Sequence, residues 1–563
     1  MLKAWWTTRR QHQAGFSAVE ALLAATVFGM LVTGLIGAIV YGRSATSDSG
    51  DRQQAMRLAD EGLDAVRNVR NASYSNLTDS TFGLVQSGGV WTLTGGSDTT
   101  GIFTRTVTIS SVDSSRKNVT VTVSWGNGHQ VSVQGRLSNW LAALPVTQTK
   151  GPIMMAYSKT TSTPFYRTWD GSNWSAEGSA GAVSGNIDYV VLKSARTRNE
   201  AILGTEDSTG AVYVQIWNGT SWTNKTQVGT GPAGFRNFDI DYETSNDRAV
   251  IVYNPTSLGA DFAYRIWDGN TLSTATTVTA PPTTGAINWI ELDANPISTS
   301  NEISMIMLDS NIDVYGMAWT GSTWSNMGTS TTWDTTASIS TRKAIDVAYE
   351  QSTGRAMFMW GDSVSTNQYY RIWNGSTLTA ATQLTIAAEG GLTQWVQLAS
   401  RPSSAQIMLG VQDAAGNLNT RVWSGSAWDT ATQHAEHDSA TENIASRNFD
   451  IVWETAAANA GKAWLMWGDG ATVSVKQWSG TAWGSATVLS GSDDTSFVRL
   501  RADSTSGTVF AGIYQNSTAA SGAQDINERH LTGGGSTWSA KTQIWGGPTG
   551  ADPVNFRVDI ATP

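Results

Sequence analysis

Four aspartates recur in one apolar frame: Phe238-Asp239-Ile240, Ile345-Asp346-Val347, Phe449-Asp450-Ile451 and Val558-Asp559-Ile560. A carboxylate set between apolar strand residues is either buried or lines a channel, and both positions demand a partner. Such an acidic ring can accept hydrogen bonds from a neighbouring strand's backbone, or it can bind a cation. Arg236 and Arg447 stand three residues ahead of Asp239 and Asp450 and favour the structural role. A fifth carboxylate, Glu20, stands just ahead of an uncharged apolar run, where ionised groups cost about 2.5 kcal/mol or more, so it too needs a partner. Classical catalytic sets are missing from the pattern. The five histidines (12, 129, 434, 437 and 530) are scattered, and the absence of cysteine excludes disulfides, thiolate metal sites and a cysteine nucleophile. No Ser/His/Asp set, acid pair or phosphate-cradling glycine loop stands out, so no catalytic residue, metal ligand or cofactor is assigned. The balance of 46 acidic against 36 basic residues, without long basic runs, argues against nucleic acid as a partner.

Glu20 sits where two segments meet. Residues 1–15 are polar and carry Lys3, Arg9 and Arg10, while Ala21–Tyr41 holds no charge and is long enough to span a bilayer as a helix. The basic flank precedes the apolar run, which leaves residues 1–14 in the cytoplasm and the chain beyond Tyr41 outside. The junction Gly15-Phe16-Ser17-Ala18-Val19-Glu20 resembles the type IV prepilin signature. That resemblance implies cleavage after Gly15 by a prepilin peptidase, methylation of the new Phe16 amine, and a role for Glu20 in setting register during filament assembly with other pilins. It also implies residence in the inner membrane before assembly and on a pilus at the cell surface afterwards.

Further along, Ala55, Ala59, Leu63, Val66 and Val69 form one helical stripe, so a single helix of about 55 residues, some 80 Å long, is expected to run from Phe16 to about residue 72. A Gly/Ser-rich patch at 42–50 is expected to loosen it. Strand-like runs at 103–109, 119–125 and 131–137, with Trp91-Thr92-Leu93 as a fourth, place an antiparallel sheet within 82–138. An α+β domain over 16–142, a long helix on a small sheet, is the fold the resemblance implies. Residues 143–151 read as a linker.

From residue 152 to 563 one motif returns. It occurs at Trp169–Trp174, Trp217–Trp222, Trp267–Leu272, Trp319–Trp324, Trp373–Leu378, Trp423–Trp428 and Trp478–Trp483, with a degraded copy ending at Trp538. The first tryptophans are 48, 50, 52, 54, 50 and 55 residues apart, a period that suits propeller blades. Asn-Gly or Asp-Gly between strands predicts a two-residue type I′ turn, in which Trp217 would face Thr220 and Trp222 would face Gln215. Eightfold recurrence assigns the tryptophans to packing between blades rather than to ligand stacking. The aspartate frames alternate with Tyr189-Val-Val-Leu, Trp289-Ile-Glu-Leu, Trp395-Val-Gln-Leu and Phe497-Val-Arg-Leu, giving four two-blade units. The pattern resembles an all-β eight-bladed β-propeller whose segment 554–561 completes the first blade and closes the ring.

A propeller of this size would crowd a helically packed filament. The combined resemblance therefore implies a minor subunit, at the tip or sparsely incorporated. Its propeller would be an adhesion or binding module for an unknown surface, glycan or protein ligand. Two alternatives stay open: a surface-displayed propeller enzyme resembling glycoside hydrolases, and a pseudopilin of a type II-like secretion system.

Overall fold

Ser17 starts the only long helix among the described residues. Its hydroxyl accepts the Glu20 N–H at 3.2 Å while a Glu20 carboxylate oxygen accepts the Ser17 N–H at 3.1 Å, a reciprocal cap of two otherwise orphaned donors. In this computed structural model the described residues are 17–562 except 114–115, 127, 139–150, 160, 257–258, 280–284, 329–331, 365, 387–389, 431–435, 440, 442–444, 471, 492–493, 517–522 and 550–556. Gly15, Phe16 and most of the expected linker lie outside them. The chain forms two compact units, Met1–Thr147 and Gln148–Pro563.

In the first unit, helix α1 (Ala18–Ala72) runs unbroken through residues 42–50. The loosening expected there does not occur, because isolated glycines and serines cost a helix about 1 kcal/mol or less each and longer flanking turns hold it. Its first half leaves Leu22, Phe28, Leu31, Ile36 and Tyr41 bare, and it is long and apolar enough to cross a membrane. Its second half buries Ala55, Ala59, Leu63, Val66 and Val69 against Val107, Val119, Val121 and Leu137 of a six-stranded antiparallel sheet. Gly62 allows the close approach: a Cβ there would stand 2.8 Å from the Val121 side chain. The strands are Ser80–Ser87, Val90–Thr94, Asp98–Thr100, Phe103–Asp113, Arg116–Trp125 and His129–Ser138.

The described residues of the second unit form eight small antiparallel sheets. The first runs from Ile187 to Thr230, the second from Phe238 to Val278, the third from Ile287 to Asn326 and the fourth from Ile345 to Leu384. The fifth (Thr393–Trp423) has three strands among the described residues, and the sixth (Phe449–Leu489) and seventh (Asp494–Thr549) have four. The eighth joins Val558–Ala561 to Met154–Ser158, Pro164–Thr168 and Gly178–Ser179, with Asp559 opposite Ala156. Residues 554–556 lie outside the described part of that segment. The leading strand of each sheet packs against the leading strand of the next, and Val558–Ala561 touches those of both the seventh and the first sheet. A succession of four-stranded sheets packed in this way is consistent with a β-propeller.

The tryptophan turns differ from the expected two-residue hairpin. Trp217 pairs directly with Trp222, as Trp319 does with Trp324, across a four-residue loop. The Asn218 side chain supplies the reason: its Oδ1 accepts the N–H groups of Thr220 and Ser221 at 3.0 and 2.9 Å, and only Gly219 takes positive φ (95°). An Asx-type closure thus replaces the two left-handed residues that a type I′ turn requires.

Candidate functional site

A leading strand has one paired edge and one bare edge, whose N–H groups need acceptors. The four recurrent aspartates supply them. Asp239 accepts the N–H of Ile240 in its own strand and of Leu292 in the next sheet, both at 2.9 Å. Asp346 does the same for Val347 (3.0 Å) and Leu398 (2.6 Å), and Asp450 for Ile451 and Leu500 (both 2.9 Å). Asp559 accepts from Ile560 and, across to the first sheet, from Leu192 (both 2.9 Å). Each aspartate therefore stitches two sheets by satisfying one edge donor on each. Basic groups stand beside them: Arg236 at 3.7 Å from Asp239, Lys343 at 3.2 Å from Asp346, Arg447 at 3.2 Å from Asp450, and Arg499 at 2.6 Å from Asp559.

The basic groups and all of these aspartates but Asp450 line a cavity of about 350 Å³ between the leading strands. Two layers of side chains face it, two residues apart along each strand, as the period of a strand requires. The inner layer holds Asp239, Asp346 and Asp559 with Glu291, Gln397 and Arg499; the next holds Lys193, Asp293 and Arg501, with Asp241 3.6 Å from Lys193. Asp241 and Asp293 repeat the edge-capping, accepting the N–H groups of Ala294 (3.0 Å) and Tyr349 (2.7 Å). Glu291 is held by Arg236 and lies 3.8 Å from Lys343.

The charges are uneven around the wall. Burial pushes Asp239 up to about 6 against the pull of Arg236 and Lys193. Burial, with Asp241 beside it, pushes Asp293 up to about 7. On the opposite side burial, reinforced by Arg499, pulls Arg501 down to about 10. Burial would also raise Asp559, but Arg499 and Arg501 outweigh it and hold that carboxyl below the usual range. Sequence reasoning passed over Lys193, Asp241, Glu291, Asp293, Arg499 and Arg501. Their signal was charge at every second position of otherwise apolar strands, as in Ile-Glu-Leu-Asp and Val-Arg-Leu-Arg.

The repeated tryptophans lie elsewhere, at the seams between sheets. The Trp319 indole N–H donates to Glu243 of the preceding sheet (2.6 Å), Trp373 to Glu302 (3.1 Å) and Trp423 to Glu350 (2.8 Å). Their rings meet aromatics of the sheet before: Tyr264 with Trp319, Tyr370 with Trp423 and Trp428, Tyr166 with Trp217 and Trp222, Phe510 with Trp169 and Trp174, and Trp464 with Trp538. Phe262 meets Trp324 in the same way. Trp267 and Trp478 are buried, and Trp483 packs edge-on to His437. Among the described residues no group of three or more His, Asp or Glu side chains is arranged to hold a metal ion. Glu20 serves as the helix cap described above.

No protein-family model matches this chain, and no curated protein sequence matches it. Solved structures similar to it include the lectin of Aleuria aurantia, described as a six-bladed β-propeller with a novel fucose recognition mode, at 14% identity over 52% of this chain and 97% of that one, with a TM-score of 0.32. AofleA from Arthrobotrys oligospora is 10% identical over 72% of this chain and 94% of its own, with a TM-score of 0.36. The α-L-arabinanase of Penicillium chrysogenum, solved with arabinobiose, is 11% identical over 51% of this chain and 92% of its own, with a TM-score of 0.35.

Proposed function

We propose that this chain is a minor type IV pilus subunit that displays an eight-bladed β-propeller, closed by Val558–Ala561, as an extracellular binding module. The observation that carries the pilus reading is the division of α1. Its first half is bare and apolar, suited to a membrane and then to the core of a filament, while its second half is buried on an antiparallel sheet. The Gly15-Phe16 junction and Glu20 at the head of that helix belong to the same reading. Contact of Val558–Ala561 with both the seventh and the first sheets supports closure of the ring.

Binding is preferred to hydrolysis because of how the cavity carboxylates are engaged. Sugar hydrolysis needs two carboxyl groups that are free to reach the scissile bond from opposite sides. Here Asp239, Asp241, Asp293, Asp346 and Asp559 each accept backbone N–H bonds, and Glu291 is held by Arg236. The ligand would be a surface glycan or protein. Mass spectrometry of surface-sheared filaments tests the assignment: the mature chain should begin at methylated Phe16, and Gly15→Asp should leave an uncut precursor in the membrane fraction. A surface-exposed chain that keeps residues 1–15 would refute it.

A further inference from the structure

We propose that the cavity between the leading strands binds a carboxylate-bearing ligand, received by the guanidinium of Arg501. The proposal rests on the reading of the all-β unit as a binding module. It begins from the position Arg501 occupies. Around the cavity, the residue two beyond each recurrent aspartate is Asp241, Ala348, Val452 or Ala561, and the corresponding residue on the intervening strands is Lys193, Asp293, Ala399 or Arg501. Lys193, Asp241 and Asp293 therefore share one side of this layer, with Lys193 3.6 Å from Asp241. Arg501 falls on the other side, between the positions of Val452 and Ala561, with no carboxylate of its own layer beside it.

The layer beneath compensates only in part: Asp559 and Asp450 favour the Arg501 cation, but burial and Arg499 outweigh them. Asp450 and Asp559 are the nearest acids, and each already accepts two backbone N–H groups and faces its own arginine, Arg447 or Arg499. Among the described residues the Arg501 side chain makes one hydrogen bond, to the Leu500 carbonyl at 3.0 Å. A guanidinium carries five donors in a planar fork that matches a carboxylate, and its charge is felt more strongly away from bulk water. Small side chains at Ala348 and Ala399 leave the space, and the cavity of about 350 Å³ accommodates a monosaccharide-sized acid. Arg499 lies beside Arg501 and adds to the attraction, and burial together with this neighbour disfavours the Arg501 cation until an anion arrives.

The test is isothermal titration of the full chain in detergent at low salt with sodium glucuronate, sodium acetate and glucose. Glucuronate should bind and glucose should not compete. Binding of acetate as well would identify a general carboxylate site, whereas glucuronate alone would identify an acidic sugar site; both support the proposal. Arg501→Gln should weaken glucuronate binding at least tenfold. Val452→Asp provides a second route should the glutamine variant fold poorly. It places a carboxylate on the cavity lining beside Arg501, at the position where the second sheet already carries Asp241, and it should abolish binding in a chain whose folding is confirmed by an unchanged far-UV circular dichroism spectrum. Absence of glucuronate binding to the parent chain, equal binding of glucose, or undiminished binding in the folded variants would each overturn the proposal. Filament incorporation, read separately, would be unaffected by any of these results, so failure of the ligand class is distinguishable from failure of the display role.

Discussion

The cavity carboxylates show how one side chain can serve two strands and how that service changes its titration. Asp293 is pushed up to about 7 by burial and by Asp241, while its Oδ2 accepts the Tyr349 N–H at 2.7 Å. A carboxyl raised in the folded state stabilises below its unfolded value near 3.9, and that contribution is lost as pH rises to about 7. Asp293→Asn keeps an acceptor for Tyr349 and removes the titration. The parent chain should therefore lose more melting temperature between pH 5 and pH 8 than the asparagine variant does. The difference should be on the order of 2 kcal/mol, smaller than the full shift because the side chain faces a cavity that water can enter. Equal pH profiles by calorimetry would show that Asp293 ionises normally.

At the scale of the element, each sheet contributes a bare leading edge and a tryptophan hairpin, and both are completed by the sheet next to it. Glu350 illustrates the seam. It is 1% exposed, binds Arg355 through two donors at 2.9 and 2.7 Å, and accepts the indole N–H of Trp423 from the following sheet at 2.8 Å. Glu350→Ala would leave that N–H buried without an acceptor. The expected cost is roughly 2–3 kcal/mol, moderated because Arg355 is one-third exposed and can return to water. Glu350→Gln retains an acceptor and should cost less. Urea denaturation followed by tryptophan fluorescence would rank the two, and a reversed order would mean that the charge rather than the hydrogen bond holds the seam.

At the scale of the whole molecule, the segment most distant in sequence from its partners is Val558–Ala561. It pairs with the strand Met154–Ser158, while Asp559 reaches Leu192 and Arg499. Deleting residues 558–563 removes Val558 and Ile560, each 1% exposed and worth about 1.5–3 kcal/mol of burial, and leaves Arg499 without its carboxylate. The shortened chain should melt earlier and aggregate through the uncovered Met154–Ser158 edge, as differential scanning fluorimetry and size-exclusion chromatography would register. Unchanged melting of a monodisperse product would show that the eight sheets do not depend on one another in a closed order.

Local periodicity was legible from the sequence alone. The stripe Ala55–Val69 is a 3.6-residue pattern, the strands of both units alternate with period two, and a repeat near 50 residues appears wherever one supersecondary unit is copied. Each of these depends on residues close together in the chain. The closure of the turns was misread because the Asn218 side chain competes with the backbone for the same N–H groups, and a dipeptide signal does not weigh that competition. The neighbours of Arg501 were decided only by tertiary structure. Whether a charged residue meets an aspartate, an alanine or an open space depends on which strand of another sheet lies beside it. For Arg501 those strands include Val558–Ala561, some sixty residues away, and for Asp559 the partner Leu192 is 367 residues away. The aspartate frame repeats and is visible as a repeat, but the surroundings of Arg501 leave no period in the sequence, because that juxtaposition is made once.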